Sequence, residues 1–296
     1  MIIFKAFFED AFFVGDRMIL IMPDNLEQLI NNVDLIDGVI LSIKDLSVNS
    51  LYTITIEELD SIISKLKGKE VFISLNKNIE NSELPNLEET LFKLNNYPIK
   101  GVLYSDVAVI TYKDKLNYEL IWAQEHLTTN YETINYYHSF GVNYAYLSSD
   151  ITLDEINEIK KHTNVKVMAN IFGYIPMFVS KRHIVKNYLE TFNIKDNSKV
   201  NYIEKEGQVY PIVDSNYTYA YSSKILNGIK EYFKMNVDYF VVNGFLINND
   251  LFSDVLKNIK DLTQDNVVTI NDKINHLFEN TATLFLHQKT ISRVKK

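Results

Sequence analysis

Short apolar runs alternate with segments of helical periodicity along almost the whole chain, and this alternation constrains the fold more than any single motif. The runs are Met18 to Met22, Gly38 to Leu41, Val71 to Leu75, Val102 to Tyr104, Leu120 to Ala123, Tyr144 to Leu147, Val165 to Ile171 and Tyr239 to Val242. Helical segments follow nearly all of them: NLEQLINNV, TIEELDSIISKLK, NLEETLFKLNN, YETINYYHSFG, TLDEINEIKKHT, KRHIVKNYLETF and NNDLFSDVLKNIKDL, with only a short VAVITY after the fourth run. Strand, loop and helix in this order are what parallel βα units require. Thr55 with Glu58, Thr129 with Glu132 and Thr152 with Glu155 have capping-box form at loop-to-helix junctions, and Gly141 marks a helix end. An open doubly wound sheet would give the same local pattern. Eight such units in 296 residues close most economically into an α/β, TIM-type (β/α)8 barrel, and a single barrel domain over residues 1–296 is the expectation.

Two stretches depart from the repeat. Residues 193–223 (NIKDNSKVNYIEKEGQVYPIVDSNYTYAYSS) alternate polar and apolar residues around Gly207 without a helical stripe, so they read as a small β insertion between units seven and eight. The tail over residues 281–296, TATLFLHQKTISRVKK, can add an edge strand and ends basic.

Composition narrows the chemistry. With 46% hydrophobic and 23% charged residues the chain has ample material for a core. It has no cysteine, which excludes a disulfide framework, a thiolate nucleophile, a zinc–thiolate site or a cysteine-held iron–sulfur cluster built from this chain alone; no cofactor bound by the chain alone is expected. Nothing calls for an oxidising compartment, so a cytoplasmic location fits. The N-terminal MIIFKAFFEDAFFVGDR is broken by Lys5, Glu9 and Asp10, and no apolar run reaches about 18 residues, so neither export nor a membrane span is expected. The net charge of −8 argues against a free-standing nucleic-acid binder while permitting a local basic patch. Neither G-x-G-x-x-G nor G-x-x-x-x-G-K-[ST] occurs, which disfavours a nucleotide-dependent enzyme.

In a barrel, chemistry sits in the loops after the strands. The polar residues there are largely amides and hydroxyls, and those expected to open toward one face are Asn76, Asp106, Gln124, Asn130, Ser148 and Asn170, with Tyr174 beside them. Asp24 and Asp106 could serve acid–base chemistry, or cap the next helices. The six histidines have no metal-ligand spacing, and no catalytic triad is visible. After the seventh run comes FGYIPMFVSKRHIVKNY: Gly173 permits close backbone approach or an unusual turn, Pro176 blocks ladder extension, and a helix is expected to follow with Ser180 as its N-cap. Lys181, Arg182 and Lys186 then sit against the helix dipole, which an anion would relieve.

The block from Leu127 to His162, the stretch FGYIPMFVSKRHIVKNYL, YPIVDSNYT and the terminal FLHQKTISRVKK together resemble the collagenase-like peptidase family, family U thirty-two, in its short members from low-GC Gram-positive bacteria. The resemblance spans nearly the whole chain and implies a barrel-type fold. Relatives act in hydroxylating nucleic acid or quinone substrates, including prephenate-dependent formation of 5-hydroxyuridine at the tRNA wobble position. Long relatives carry H-G-x-x-C-x-x-x-S-G-R-C; this chain keeps Gly173, Ser180 and Arg182 but has Pro176 and His183 at the cysteine positions. The resemblance thus implies a component of tRNA wobble-uridine hydroxylation, with tRNA and a longer cysteine-containing paralogue as partners, prephenate as pathway metabolite, and Ser180, Arg182 and His183 among the binding residues. A collagenase-like endopeptidase and a non-catalytic scaffold subunit are the alternatives.

Overall fold

The computed structural model describes residues 17–288; the N-terminal segment before Arg17 and the basic end of the tail lie outside the described residues. Seven barrel strands come first: β1 (Met18–Met22), β2 (Gly38–Ile43), β3 (Glu70–Leu75), β4 (Gly101–Tyr104), β5 (Glu119–Trp122), β6 (Tyr144–Tyr146) and β7 (Lys166–Gly173), with a two-residue strand over Thr53–Ile54 pairing parallel to β2. Five more follow: β8 (Pro176–Ser180), β9 (Asn201–Lys205), β10 (Gln208–Asp214), β11 (Thr218–Tyr221) and β12 (Ile225–Asn227). The eighth barrel strand is β13 (Tyr239–Asn243). Strands β1 to β7 pair in sequence, all parallel, and β13 pairs parallel with both β1 and β7, so the ring is closed. Each of the eight expected runs is a barrel strand, and the open-sheet alternative is excluded.

The period-2 geometry of the strands separates two apolar layers. Leu20, Ile40, Phe72, Leu103, Ile121, Tyr144, Met168, Tyr239 and Val241 fill the barrel interior. Their neighbours Ile19, Ile21, Val39, Leu41, Val71 and Ile73 face outward against the helices. There they meet Leu29 of α1 (Leu26–Asn31), Leu87 and Leu91 of α3 (Leu84–Leu94), Ile156 of α5 (Leu153–His162) and Phe252 of α7 (Asn249–Lys260). Both faces being apolar is why the strand segments read as continuous hydrophobic runs.

Helix starts follow the sequence closely. Thr152 and Glu155 form the expected reciprocal box on α5, and Glu58 accepts from the Thr55 backbone N–H at 2.8 Å. At α4 (Tyr131–Ser139) the cap is Asn130 rather than Thr129: its side chain accepts the Thr133 N–H at 2.9 Å, a position where asparagine outperforms threonine. Gly141, at φ +81°, donates its N–H to the His138 carbonyl and ends that helix. A further helix, α8 (Val267–Leu277), was not anticipated from the periodicity; α2 (Leu59–Ile63), a 3-10 run over Val107–Lys115 and shorter 3-10 turns also belong to the shell.

The insertion begins earlier than its polar stretch suggests. Gly173, at φ +118°, turns the chain out of the barrel, and Pro176 starts β8, which pairs antiparallel with β11 in a four-stranded sheet ordered β9-β10-β11-β8. The expected helix follows only at Ile184 (α6, Ile184–Thr191). Ser180 is therefore the end of a strand and not the helix cap: its Oγ accepts the Arg182 N–H in a local turn, and His183 occupies the N-cap position without a side-chain bond to the helix. Tail residues Thr281–Ala282 form the edge strand foreseen there, parallel to β12.

Candidate functional site

The strand ends converge on a cavity of about 320 Å³ at the C-terminal mouth, within the ~300–1,000 Å³ common for small-ligand sites. Met22, Leu103, Ala123, Leu147 and Val48 give it apolar walls, while Asn76, Gln124, Glu125, Ser149 and Asn170 supply polar groups. Strands β8 and the loop before β11 overhang it through Pro176, Val179, Lys181 and Tyr217.

Three of the expected residues meet here, namely Asn76, Gln124 and Asn170. Asn170 is held at both ends: its Oδ1 accepts from Tyr146 at 2.7 Å and its Nδ2 donates to Ser149 Oγ at 2.8 Å. Asn76 and Gln124 are anchored from one side only. Asn76 Oδ1 accepts the Val48 N–H at 2.8 Å, and Gln124 Oε1 accepts the N–H groups of His126 and Leu127 at 2.9 and 3.0 Å.

The other expected residues have different surroundings. Asp106 caps the 3-10 run through Ala108 N–H and holds the preceding loop through Ile79 N–H, so its two oxygens serve the scaffold. Asn130 is the α4 cap. Ser148 is buried and accepts the Asp150 N–H. Tyr174 packs on Phe245, and its carbonyl accepts from Asn243. Ser180, Arg182 and His183 lie in the insertion beyond the cavity lining, where His183 pairs with Asp214 at 2.8 Å. Of the cationic cluster it is Lys181 that reaches the cavity, paired with Glu80.

The sequence reading passed over Glu125, His126, Lys77, Tyr146 and Tyr217. Glu125 is the most informative. Burial pushes its carboxyl up to about 7, against the opposing charge of His126, with Asp150 adding to the rise and a hydrogen bond from Asn49 at 3.0 Å restraining it. Asn49 is buried and holds φ +61°, a left-handed conformation that asparagine tolerates, to present that amide. The available signal was position alone: Glu125 follows a strand end directly after Gln124. Its elevated titration has a consequence for stability. The folded state keeps the proton up to about pH 7 whereas the unfolded chain loses it in the usual carboxylate range, so stability falls as pH rises through that window. Glu125→Gln is expected to raise Tm at pH 8 and leave it nearly unchanged at pH 4, which thermal unfolding at both values measures.

The cavity's lysines are already compensated. Lys77 pairs with Glu83 and donates to the Asp45 carbonyl, and Lys181 pairs with Glu80; the His126 ring lies 3.3 Å from Asp150. No group of three or more residues able to hold a metal occurs among the described residues, and none of their helices is long and apolar enough to cross a membrane.

A closed parallel barrel with an amide-rich mouth overhung by a β insertion defines the class. The chain belongs to peptidase family U32, whose profile matches residues 24–290. It is 26% identical over 209 residues to tRNA hydroxylation protein P2 of Bacillus subtilis (strain 168), covering 66% of this chain and 68% of that protein. Its match to tRNA hydroxylation protein P1 of the same organism is 21% over 139 residues, 46% of this chain; it spans only 33% of P1. Among solved structures, the U32 peptidase Mk0906 has 11% identity and a TM-score of 0.49, over 77% of this chain and 92% of that one.

Proposed function

We propose that this chain is a component of tRNA hydroxylation, with the barrel mouth holding the group to be modified. The observation that carries the reading is the match to protein P2 across two thirds of both chains. In its finer form the product is 5-hydroxyuridine at the wobble position, formed with prephenate as pathway metabolite and beside a longer, cysteine-containing paralogue in the cytoplasm. A paralogue would supply the cysteine chemistry that this sequence lacks. Arg182 has no side-chain partner among the described residues and stands outside the cavity, where its planar fork is available to an RNA phosphate.

The endopeptidase reading has less support. Ser149 Oγ accepts from Asn170 and Ser148 Oγ from the Asp150 N–H, and among the described residues neither is hydrogen-bonded to His126, so that histidine activates neither serine as a base.

Nucleoside mass spectrometry on tRNA from a deletion strain tests the proposal. Loss of 5-hydroxyuridine derivatives, restored by the wild-type gene and only weakly by Arg182→Ala, is expected; with Arg182→Lys intermediate, the fork and not charge alone is at work. An unchanged nucleoside profile in the deletion strain overturns the functional reading, and full modification by Arg182→Ala removes that residue from it.

A further inference from the structure

The orientation of the cavity's amides limits what can bind. A backbone N–H can only donate, so the atoms of Asn76 and Gln124 facing Val48, His126 and Leu127 must be carbonyl oxygens. Their NH2 groups make no hydrogen bond among the described residues and are the ends left for the cavity. Between them in character stands Glu125: Asn49 holds Oε2, leaving Oε1 without a partner among the described residues. Among the polar groups of the wall, these three residues supply two neutral donors and one carboxylate acceptor.

Charge points the same way. An anionic ligand would need a cation to receive it, yet Lys77 and Lys181 are each matched to a carboxylate, and Glu125 would repel it. A neutral ligand with one N–H between two carbonyls satisfies both donors and the acceptor at once. We propose that the mouth reads a cyclic imide edge, C=O, N–H, C=O, as on a uracil ring, with Asn76 and Gln124 donating to the carbonyls and Glu125 accepting the N–H. This deepens the tRNA hydroxylation reading by naming the face of the base that is held. The ring's flat sides would lie against the apolar walls, Met22, Leu103 and Leu147.

The accepting form is the carboxylate, so affinity rises with pH through the titration of Glu125 near 7. Groups facing it are His126 of its own loop, Asp150 after β6, Tyr146 at the end of β6 and Tyr221 of β11, with the neutral Asn49 after β2. His126 is the competing source of a pH effect, and His126→Gln controls for it.

The experiment measures binding of uridine, N3-methyluridine and cytidine to the purified full chain by ligand-observed NMR between pH 6 and pH 8. Uridine is expected to bind about tenfold more tightly at pH 8 than at pH 6, as one proton near pH 7 dictates, and N3-methyluridine and cytidine at least tenfold more weakly than uridine at pH 8. Glu125→Gln should flatten the profile, while His126→Gln keeps it. Equal binding of N3-methyluridine, no binding of uridine, or affinity that falls as pH rises overturns the imide assignment. Failure of the tRNA role appears instead in the deletion strain, whose nucleoside profile does not depend on how free uridine binds, so the two failures are separable.

Discussion

Gly173→Ala is expected to destabilise the protein by roughly 2–6 kcal/mol, through enforced left-handed backbone and overpacking acting together. At φ +118° an L side chain is strained whatever the space, and here there is none: a Cβ would stand 2.3 Å from the Asn243 carbonyl oxygen and 2.7 Å from the Asn243 Cβ. Both obstacles belong to the end of β13, so neither can swing aside as the tip of a long side chain would. The damage should be concentrated at the closure of the barrel, where β7 meets β13 and the register shifts between Val241 and Val242. Asn243 also binds the Tyr174 carbonyl and the Phe245 N–H and lines the mouth, so ligand binding should weaken along with stability. Denaturant unfolding of the variant beside wild type measures this; a change under 1 kcal/mol would show that the close approach relaxes without cost.

The same glycine shows what a sequence can and cannot disclose. Its role as the point where the chain leaves the barrel was legible, because a glycine and a proline after a long apolar run interrupt a strand. The eight barrel strands were legible for a related reason: two apolar faces produce unbroken hydrophobic runs whatever the partner. Strand β8 was not, since its pairing with β11 links residues nearly forty positions apart, and Met177, Phe178 and Val179 are all substantially exposed, which erases the in-out alternation that marks a half-buried strand. The polar SKRH that follows then resembles a helix entry. Among the site residues, Asn76, Gln124 and Asn170 were found by position at strand ends, yet so was Asp106, whose carboxylate is consumed by two backbone N–H groups. Position after a strand places a residue at the mouth; which of its atoms remain free depends on loop backbone geometry that residue identity does not encode. Glu125 was missed on those grounds, because its acceptor role comes from burial and from the amide of Asn49 across the barrel.

Phe72→Ala should cost about 3–5 kcal/mol, the range for emptying a fully buried aromatic site. Phe72 is completely buried in the barrel interior, with edge-on contacts to Tyr239 at 5.7 Å and Tyr144 at 6.4 Å between ring centroids. Three rings from strands β3, β6 and β13 thus meet across the barrel, and removing Phe72 costs two of the three ring contacts, leaving only Tyr144 and Tyr239 at 6.2 Å. Collapse is restricted, because the strand backbones are held by pairing on both sides and Tyr239 is tethered by its hydroxyl to Glu70 at 3.2 Å. For a chain of this size the loss corresponds to a Tm lower by roughly 5–8 °C. Phe178→Ala is the matched control: its ring is 45% exposed on the insertion, so the same deletion should change stability by about 0.5 kcal/mol or less. The comparison also bears on binding, since the interior layer containing Phe72 includes Leu103 and Met22, which line the cavity. A packed interior gives that cavity a firm floor beneath its polar groups. Calorimetry on both variants, with uridine binding at pH 8 measured on each, should find Phe72→Ala impaired in stability and affinity and Phe178→Ala in neither; equal melting temperatures for the two would mean the barrel interior is far more compliant than its packing implies.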